Sequence, residues 1–131
     1  MKNTLFNKID CVRIPVESLE EGLEFYSKKL GHELLWQTES AVGLKLGDDK
    51  SEIVLYTDPE GLEIDFHVQD VLQAIKDFVK AGGEIVKGPF EIPIGRCVVV
   101  RDPWGNQYVI LDSSKGIFET DENKQVIGLK K

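Results

Sequence analysis

Apolar and polar residues alternate over Val12, Ile14 and Val16, and again over Leu62, Ile64, Phe66 and Val68. A period of two predicts a half-buried strand in each place. Each strand runs into a stretch of helical period: Leu19, Leu23, Tyr26 and Leu30 fall on one face of the first, and Val71, Ile75, Phe78 and Val79 on one face of the second. Ser18 with Glu21 three residues on, and Asp70 with Gln73, predict the N-terminal caps. Gly31 and Gly82-Gly83 supply the positive φ that ends each helix. Short strands are expected next, at 33–38, 41–46 and 52–57, then at 84–87, 96–101 and 107–112. Asp102-Pro103-Trp104-Gly105-Asn106 and Gly47-Asp48-Asp49-Lys50 carry turn chemistry.

The two patterns are copies of one unit. Val12–Leu19 matches Ile64–Val71 at a shift of 64 − 12 = 52 positions, and Gly31 then falls on Gly83. Such a repeat predicts two βαβββ modules and an α+β chain. Residues 1–112 are expected to form a single domain, with module one at 9–57, a linker at 58–61 and module two at 62–112. The extension 113–131 is more polar. Ile117-Phe118 and Val126-Ile127, around Asp121-Glu122-Asn123-Lys124, fit a hairpin, with a frayed tail as the alternative. The stretch Gly88–Gly95 has Pro and Gly at both ends and is expected to be a structured loop able to act as a flap.

Composition narrows the function classes. The 131 residues are 41% hydrophobic, enough for a core, and carry 23 acidic against 16 basic side chains, a formal net charge of −7. Phosphate neutralisation needs a concentrated basic surface, so a nucleic-acid partner is not expected. No apolar run approaches the ~20 residues of a membrane helix, and Met1–Lys8 lacks the apolar core of a signal peptide, so the expected location is cytoplasmic with no membrane partner. Cys11 and Cys97 stand alone, without the spacing of a zinc knuckle or a disulfide framework.

The run Val12-x-Ile14-x-Val16-x-Ser18-Leu19-Glu20-x-x-Leu23-x-Phe25-Tyr26 with Leu30-Gly31 resembles the first-module signature of the glyoxalase/bleomycin-resistance (vicinal oxygen chelate) superfamily. Phe66-x-Val68-x-Asp70-Val71, Gly82-Gly83 and Asp102-Pro103-x-Gly105-Asn106 resemble the second. The resemblance covers residues 9 to 112 and rests on the ordered set, since no single motif is strong. It implies tandem βαβββ modules forming a cupped mixed sheet with helices on the outside, and a homodimer. In metal-dependent members it also implies a divalent ion held by four His or Glu side chains, one from the first and one from the last strand of each module.

Carried onto this chain, those four positions fall on Cys11, Glu63, Val109, and Val54 or Leu55 depending on the gap placed in a turn. Aliphatic side chains cannot ligate a metal, and one thiolate with one carboxylate is a poor set for a hard ion. No family-type metal site and no cofactor are therefore expected. Strand alternation puts Arg13 on the face of Cys11, brings Asp65 and His67 with Glu63, and adds Gln107, Val109 and Leu111 from the last strand, a mixture of polar groups and apolar walls suited to a small molecule.

Cys11, Arg13, Asp65, Arg96, Gln107 and Val109 are the ligand-binding candidates, Cys11 as a packing residue and Arg96 with its face unassigned. Arg13 suits a carboxylate or phosphate, or else pairs with Glu63 or Asp65. Three functions stay open: a metal-independent small-molecule-binding or sequestering protein; an isomerase or lyase with Glu63 as general base and His67 as proton shuttle; and a scaffold whose cup is filled by Trp36, Trp104 or the C-terminal segment.

Overall fold

The computed structural model describes residues 4–48, 50–58 and 61–131. In chain order the elements are β1 (Lys8–Pro15), α1 (Leu19–Leu23) running into a π-helical stretch (Glu24–Lys29), β2 (Leu34–Gln37), β3 (Ala41–Lys45), β4 (Glu52–Tyr56), β5 (Glu63–His67), α2 (Val71–Lys80), β6 (Glu84–Ile92), β7 (Gly95–Arg101), β8 (Gln107–Leu111), β9 (Ile117–Thr120) and β10 (Val126–Lys130). This is βαβββ twice over, then a two-stranded hairpin, so the α+β class and the module repeat expected from the pattern are present. Of the expected linker 58–61, Pro59 and Glu60 lie outside the described residues, as do Met1–Asn3 and Asp49 of the early turn. Two compact units divide the chain: Asp10–Glu63 with Phe118–Gly128, and Ile64–Ile117 with the N-terminal residues through Ile9 and Leu129–Lys131. No described helix is long and apolar enough to cross a membrane.

In the first unit the strands lie in the order β2-β3-β4-β1. β3 is antiparallel to β2 and β4, and β1 is parallel to β4, as a helical crossover requires. The register pairs Val12 with Ile53, Ile14 with Leu55 and Val42 with Leu55. These side chains form one apolar face, on which Leu19, Leu23 and Tyr26 pack. Ser18 caps the helix by accepting from the Glu21 N–H at 3.1 Å. Gly22 permits close contact, because a Cβ there would meet Leu55 at 3.0 Å and Val16 at 3.2 Å. Leu30 departs from the expected stripe and is 52% exposed. The wider π-helical turns, in which the Leu30 N–H reaches Phe25, rotate it off the apolar face.

In the second unit the order is β5-β8-β7-β6, with β5 parallel to β8 and β7 antiparallel to β8 and β6. Val71, Ala74 and Phe78 of α2 pack on Val68, Val98, Val100 and Ile110. Val79, expected on the same face, is 49% exposed. Phe6 stacks on Phe66 at 4.4 Å and meets the edge of Tyr108, closing one flank of this core. The stretch Gly88–Gly95, expected as a loop, belongs to the β6–β7 hairpin. Pro89 has no N–H for the ladder, and the register shifts between Lys87 and Phe90 where it sits.

Asp112 locks this unit together. It is 1% exposed, and its carboxylate accepts from the backbone N–H of Val71 at 2.8 Å, of Arg96 at 3.0 Å and of Ser114 at 3.2 Å, and from the Ser114 hydroxyl. One side chain thus ties the start of α2 to β7 and to the turn after β8. Burial alone would raise its pKa, but the bonds from Val71, Ser114 and Arg96 outweigh that and hold it below the usual carboxylate value. Gly95 makes room for the lock, since a Cβ there would lie 2.2 Å from Asp112 Oδ1.

Beyond Ser113 the chain forms the hairpin β9–β10. Its turn is closed by Asp121, whose Oδ1 accepts from the N–H of Asn123 and of Gln125, with Lys124 at φ 66°.

Candidate functional site: the sheet faces opposite the helices

Alternation along β1 sends Val12 and Ile14 to the helix, so Cys11, Arg13 and Pro15 occupy the opposite face. Leu55 packs on the helix side and Val54 on the Cys11 side, so Val54 is the module-one counterpart of Val109. Cys11, Ala41, Val54 and Tyr56 form a buried apolar floor there, with Trp36 against it. The register aligns Trp36, Gly43, Val54 and Arg13 in one row across four strands. Trp36 lies flat over Gly43, where a Cβ would come 2.1 Å from its Nε1, and that nitrogen donates to Glu52 Oε1 at 2.9 Å. Arg13 stacks its guanidinium over the Tyr56 ring at 4.3 Å, a cation–π contact, and stands 3.7 Å from Glu63 Oε2. The Tyr56 hydroxyl donates to the Gly61 carbonyl.

In the second unit, Asp65 pairs in register with Val109 and His67 with Leu111, so these four share the face opposite α2. Asp65 is a buried carboxylate, 5% exposed, and Val109 is 7% exposed. His67 is half-buried and held on both ring nitrogens, by Asn7 Nδ2 and Ser113 Oγ, each at 3.2 Å. Gln107 sits at the exposed start of β8 and accepts from Arg101. Arg96 shares strand parity with Val98 and Val100 and so stands on the α2 side, away from Asp65 and Val109. It donates to Glu91 at 2.8 Å, and Glu91 also holds Lys115 at 2.7 Å. These two partners, Lys115 first, lower the Glu91 pKa.

Of the residues singled out in the sequence, Cys11, Arg13 and Glu63 are together in one unit, and Asp65, His67 and Val109 in the other. Gln107 shares the face of Asp65 and Val109 at the exposed start of β8, and Arg96 stands on the opposite face. Reasoning from the sequence missed Tyr56 as the platform of Arg13, Phe118 beside Trp36, Asn7 and Ser113 around His67, and Asp112 as a lock. Tyr56 was within reach, being two residues from Val54 on the same strand; the others depend on contacts between distant segments.

The donor set does not fit a family-type metal. Cys11 lies in the apolar floor with Val54, and Val109 stands beside Asp65, so two of the four positions hold aliphatic side chains and a third a thiol packed among apolar groups, which leaves Glu63 as the single carboxylate. Among the described residues, no three His, Cys, Asp or Glu side chains are grouped to hold an ion.

Fold and faces together define a tandem-module α+β protein whose non-helical sheet faces combine apolar floors with a few fixed polar groups. The family model described as Glyoxalase/Bleomycin resistance protein/Dioxygenase superfamily matches residues 8–110, and the chain belongs to that superfamily. Among solved structures it is similar to methylmalonyl-CoA epimerase from Mycobacterium tuberculosis (17% identity, 86% of this chain and 91% of that one, TM-score 0.71). It is also similar to Streptomyces coelicolor methylmalonyl-CoA epimerase in complex with 2-nitronate-propionyl-CoA (20%, 85% and 99%, TM-score 0.68). A third is described as NAD-dependent benzaldehyde dehydrogenase from Legionella pneumophila (18%, 79% and 97%, TM-score 0.66). A search of curated proteins finds no match. At these identities the likeness is one of fold, which hosts differently named proteins.

Proposed function

We propose that this chain is a metal-independent small-molecule-binding protein that takes up a compact ligand, part polar and part apolar, on the sheet faces opposite its helices. One observation carries the reading: Cys11 and Val54, at two positions where the family's metal-dependent members place ligands, are packed into an apolar floor with Ala41 and Tyr56. Apolar burial with a few fixed polar groups is the make-up of an organic-ligand site. Arg13 and Glu63 are the orienting groups, Arg13 being held in place by Tyr56. The Glu63 carboxylate faces a guanidinium at 3.7 Å, which favours a positioning role over proton abstraction.

The proposal includes a cytoplasmic location, a homodimer, no resident cofactor, and neither nucleic acid nor membrane as partner. A net charge of −7 supports the exclusion of nucleic acid. Native mass spectrometry of the protein with a mixture of small organic acids, before and after chelation, tests the reading. Saturable adducts unchanged by chelator are the expected result; adducts that vanish with the metal would reject it.

A further inference from the structure

Trp36, which packs against the floor of the first unit, is met in turn by the chain's own C-terminal hairpin. Phe118 of β9 lies on Trp36 with ring centroids 5.0 Å apart and planes inclined at 56°. The rest of the attachment converges on one residue at the end of the edge strand β2. The Gln37 N–H donates to Lys124 O at 2.9 Å, its side-chain amide donates to Asn123 O at 3.0 Å, and Gln37 bridges to Gln125. Among the described residues of that unit, these are the hydrogen bonds and ring contacts holding the hairpin to β2.

On the face where Trp36 lies, two groups of opposite character are fixed over the same strand. The indole of Trp36 is anchored at Glu52, and the guanidinium of Arg13 at Tyr56. Glu52, Val54 and Tyr56 are alternate residues of β4, so the two anchors are roughly 13 Å apart with apolar Val54 between them. Arg13 has donors to spare: Glu63 is beyond hydrogen-bond distance at 3.7 Å, and the buried Nε makes no hydrogen bond among the described residues. At the Trp36 end, the Glu52 carboxylate disfavours negative charge, which sets a polarity on the row.

We infer that Phe118 is an internal stand-in for the ligand, and that the Trp36–Val54–Arg13 row takes a planar apolar anion, its ring on the indole and its acid on the guanidinium, when the hairpin lifts. This deepens the small-molecule reading and rests on it. The ring face of Trp36 can be covered by Phe118 or by a ligand ring, so the two compete, and removing Phe118 raises the binding-competent fraction. An aromatic pair of this kind has a strength of about tenfold in affinity.

The test uses the full chain carrying Trp104→Phe, which leaves Trp36 as the one indole reporter. The probes are anilinonaphthalene sulfonate, a planar apolar anion, and phenylnaphthylamine, its uncharged parent. Phe118→Ala is expected to tighten sulfonate binding about tenfold with quenching of Trp36 emission, while Arg13→Met weakens the sulfonate and leaves the neutral amine unchanged. The inference fails if Phe118→Ala leaves sulfonate affinity unchanged or weaker, or if Arg13→Met affects both probes alike. Phe118→Leu, which keeps apolar bulk without the ring, is measured alongside; loss of the native circular dichroism in both Phe118 variants would make the hairpin a structural part and overturn the inference. Ni²⁺ titration of the same proteins by thermal shift is a separate readout. Metal stabilisation with the expected probe behaviour would remove the metal-independent reading alone, and unresponsive probes without a metal effect would remove the subsite alone.

Discussion

At Asp112 a charged residue is 1% exposed and all the same stabilising, because four donors surround it. Asp112→Ala is expected to cost about 2–4 kcal/mol and to lower the melting temperature by about 10 °C in calorimetry. Since the folded pKa is depressed, this stabilisation is complete above the unfolded carboxylate value of about 4 and is lost as the pH falls through the folded value. The gap between the wild type and Asp112→Asn should therefore close in acid, which urea unfolding at a series of pH values will show; a gap independent of pH would exclude this account.

Gly95→Ala should destabilise by about 2–4 kcal/mol, and only part of that should be recovered in an Asp112→Ala background. The reason is that the added Cβ would also meet the Asp112 carbonyl oxygen at 2.5 Å and the Ser114 nitrogen at 2.9 Å. Neither role was legible in the sequence, where Asp112 closes the expected strand 107–112 and Gly95 closes the expected loop 88–95, while the groups they meet lie in other segments. Ser18 and Asp70 were legible as caps because a cap acts over three residues, a range within which sequence fixes geometry.

For elements, the period-two and helical patterns located the strands and helices, and they failed where local backbone departed from regular geometry. Leu30 sits at α-helical spacing from Leu19, Leu23 and Tyr26, yet the π turns before it carry it into solvent. Leu30→Gln is accordingly expected to change stability by less than about 0.5 kcal/mol, whereas Leu55→Ala, at 0% exposure, should cost about 2–5 kcal/mol. Equal losses in chemical denaturation would contradict the placement of Leu30. Between the expected strands 84–87 and 96–101, the stretch Gly88–Gly95 reads as a loop because Gly88, Pro89, Pro93 and Gly95 are turn residues by composition, while the partners that extend the ladder through Phe90, Glu91 and Ile92 lie on β7. On β3, Gly43→Ala should dislodge Trp36 from Glu52, read as a red shift of Trp36 emission in the Trp104→Phe background.

Across the whole molecule, the repeat at a shift of 52 residues gave the architecture, and the family's residue pattern indicated which positions to question. The choice between Val54 and Leu55 depended on one gap in a turn, and only the register of β1 with β4 resolved it. Trp36 and the C-terminal segment are legible in the sequence as groups able to fill the cup, but their contact with each other is not, since Trp36 and Phe118 are 82 residues apart (118 − 36) and meet through the tail. Superfamily membership is compatible with enzymes and with binding proteins, and the discriminating feature is the chemistry of a few side chains.

The central claim is that those side chains bind an organic ligand without a metal. Its most direct test is metal analysis of protein purified without chelator, followed by thermal-shift titration with Mn²⁺, Ni²⁺, Zn²⁺ and Fe²⁺, since any ion specific to the native state must stabilise it. The account expects substoichiometric metal and no rise in melting temperature. A near-stoichiometric ion that stabilises the fold would contradict it and make a chelate-type enzyme the leading interpretation.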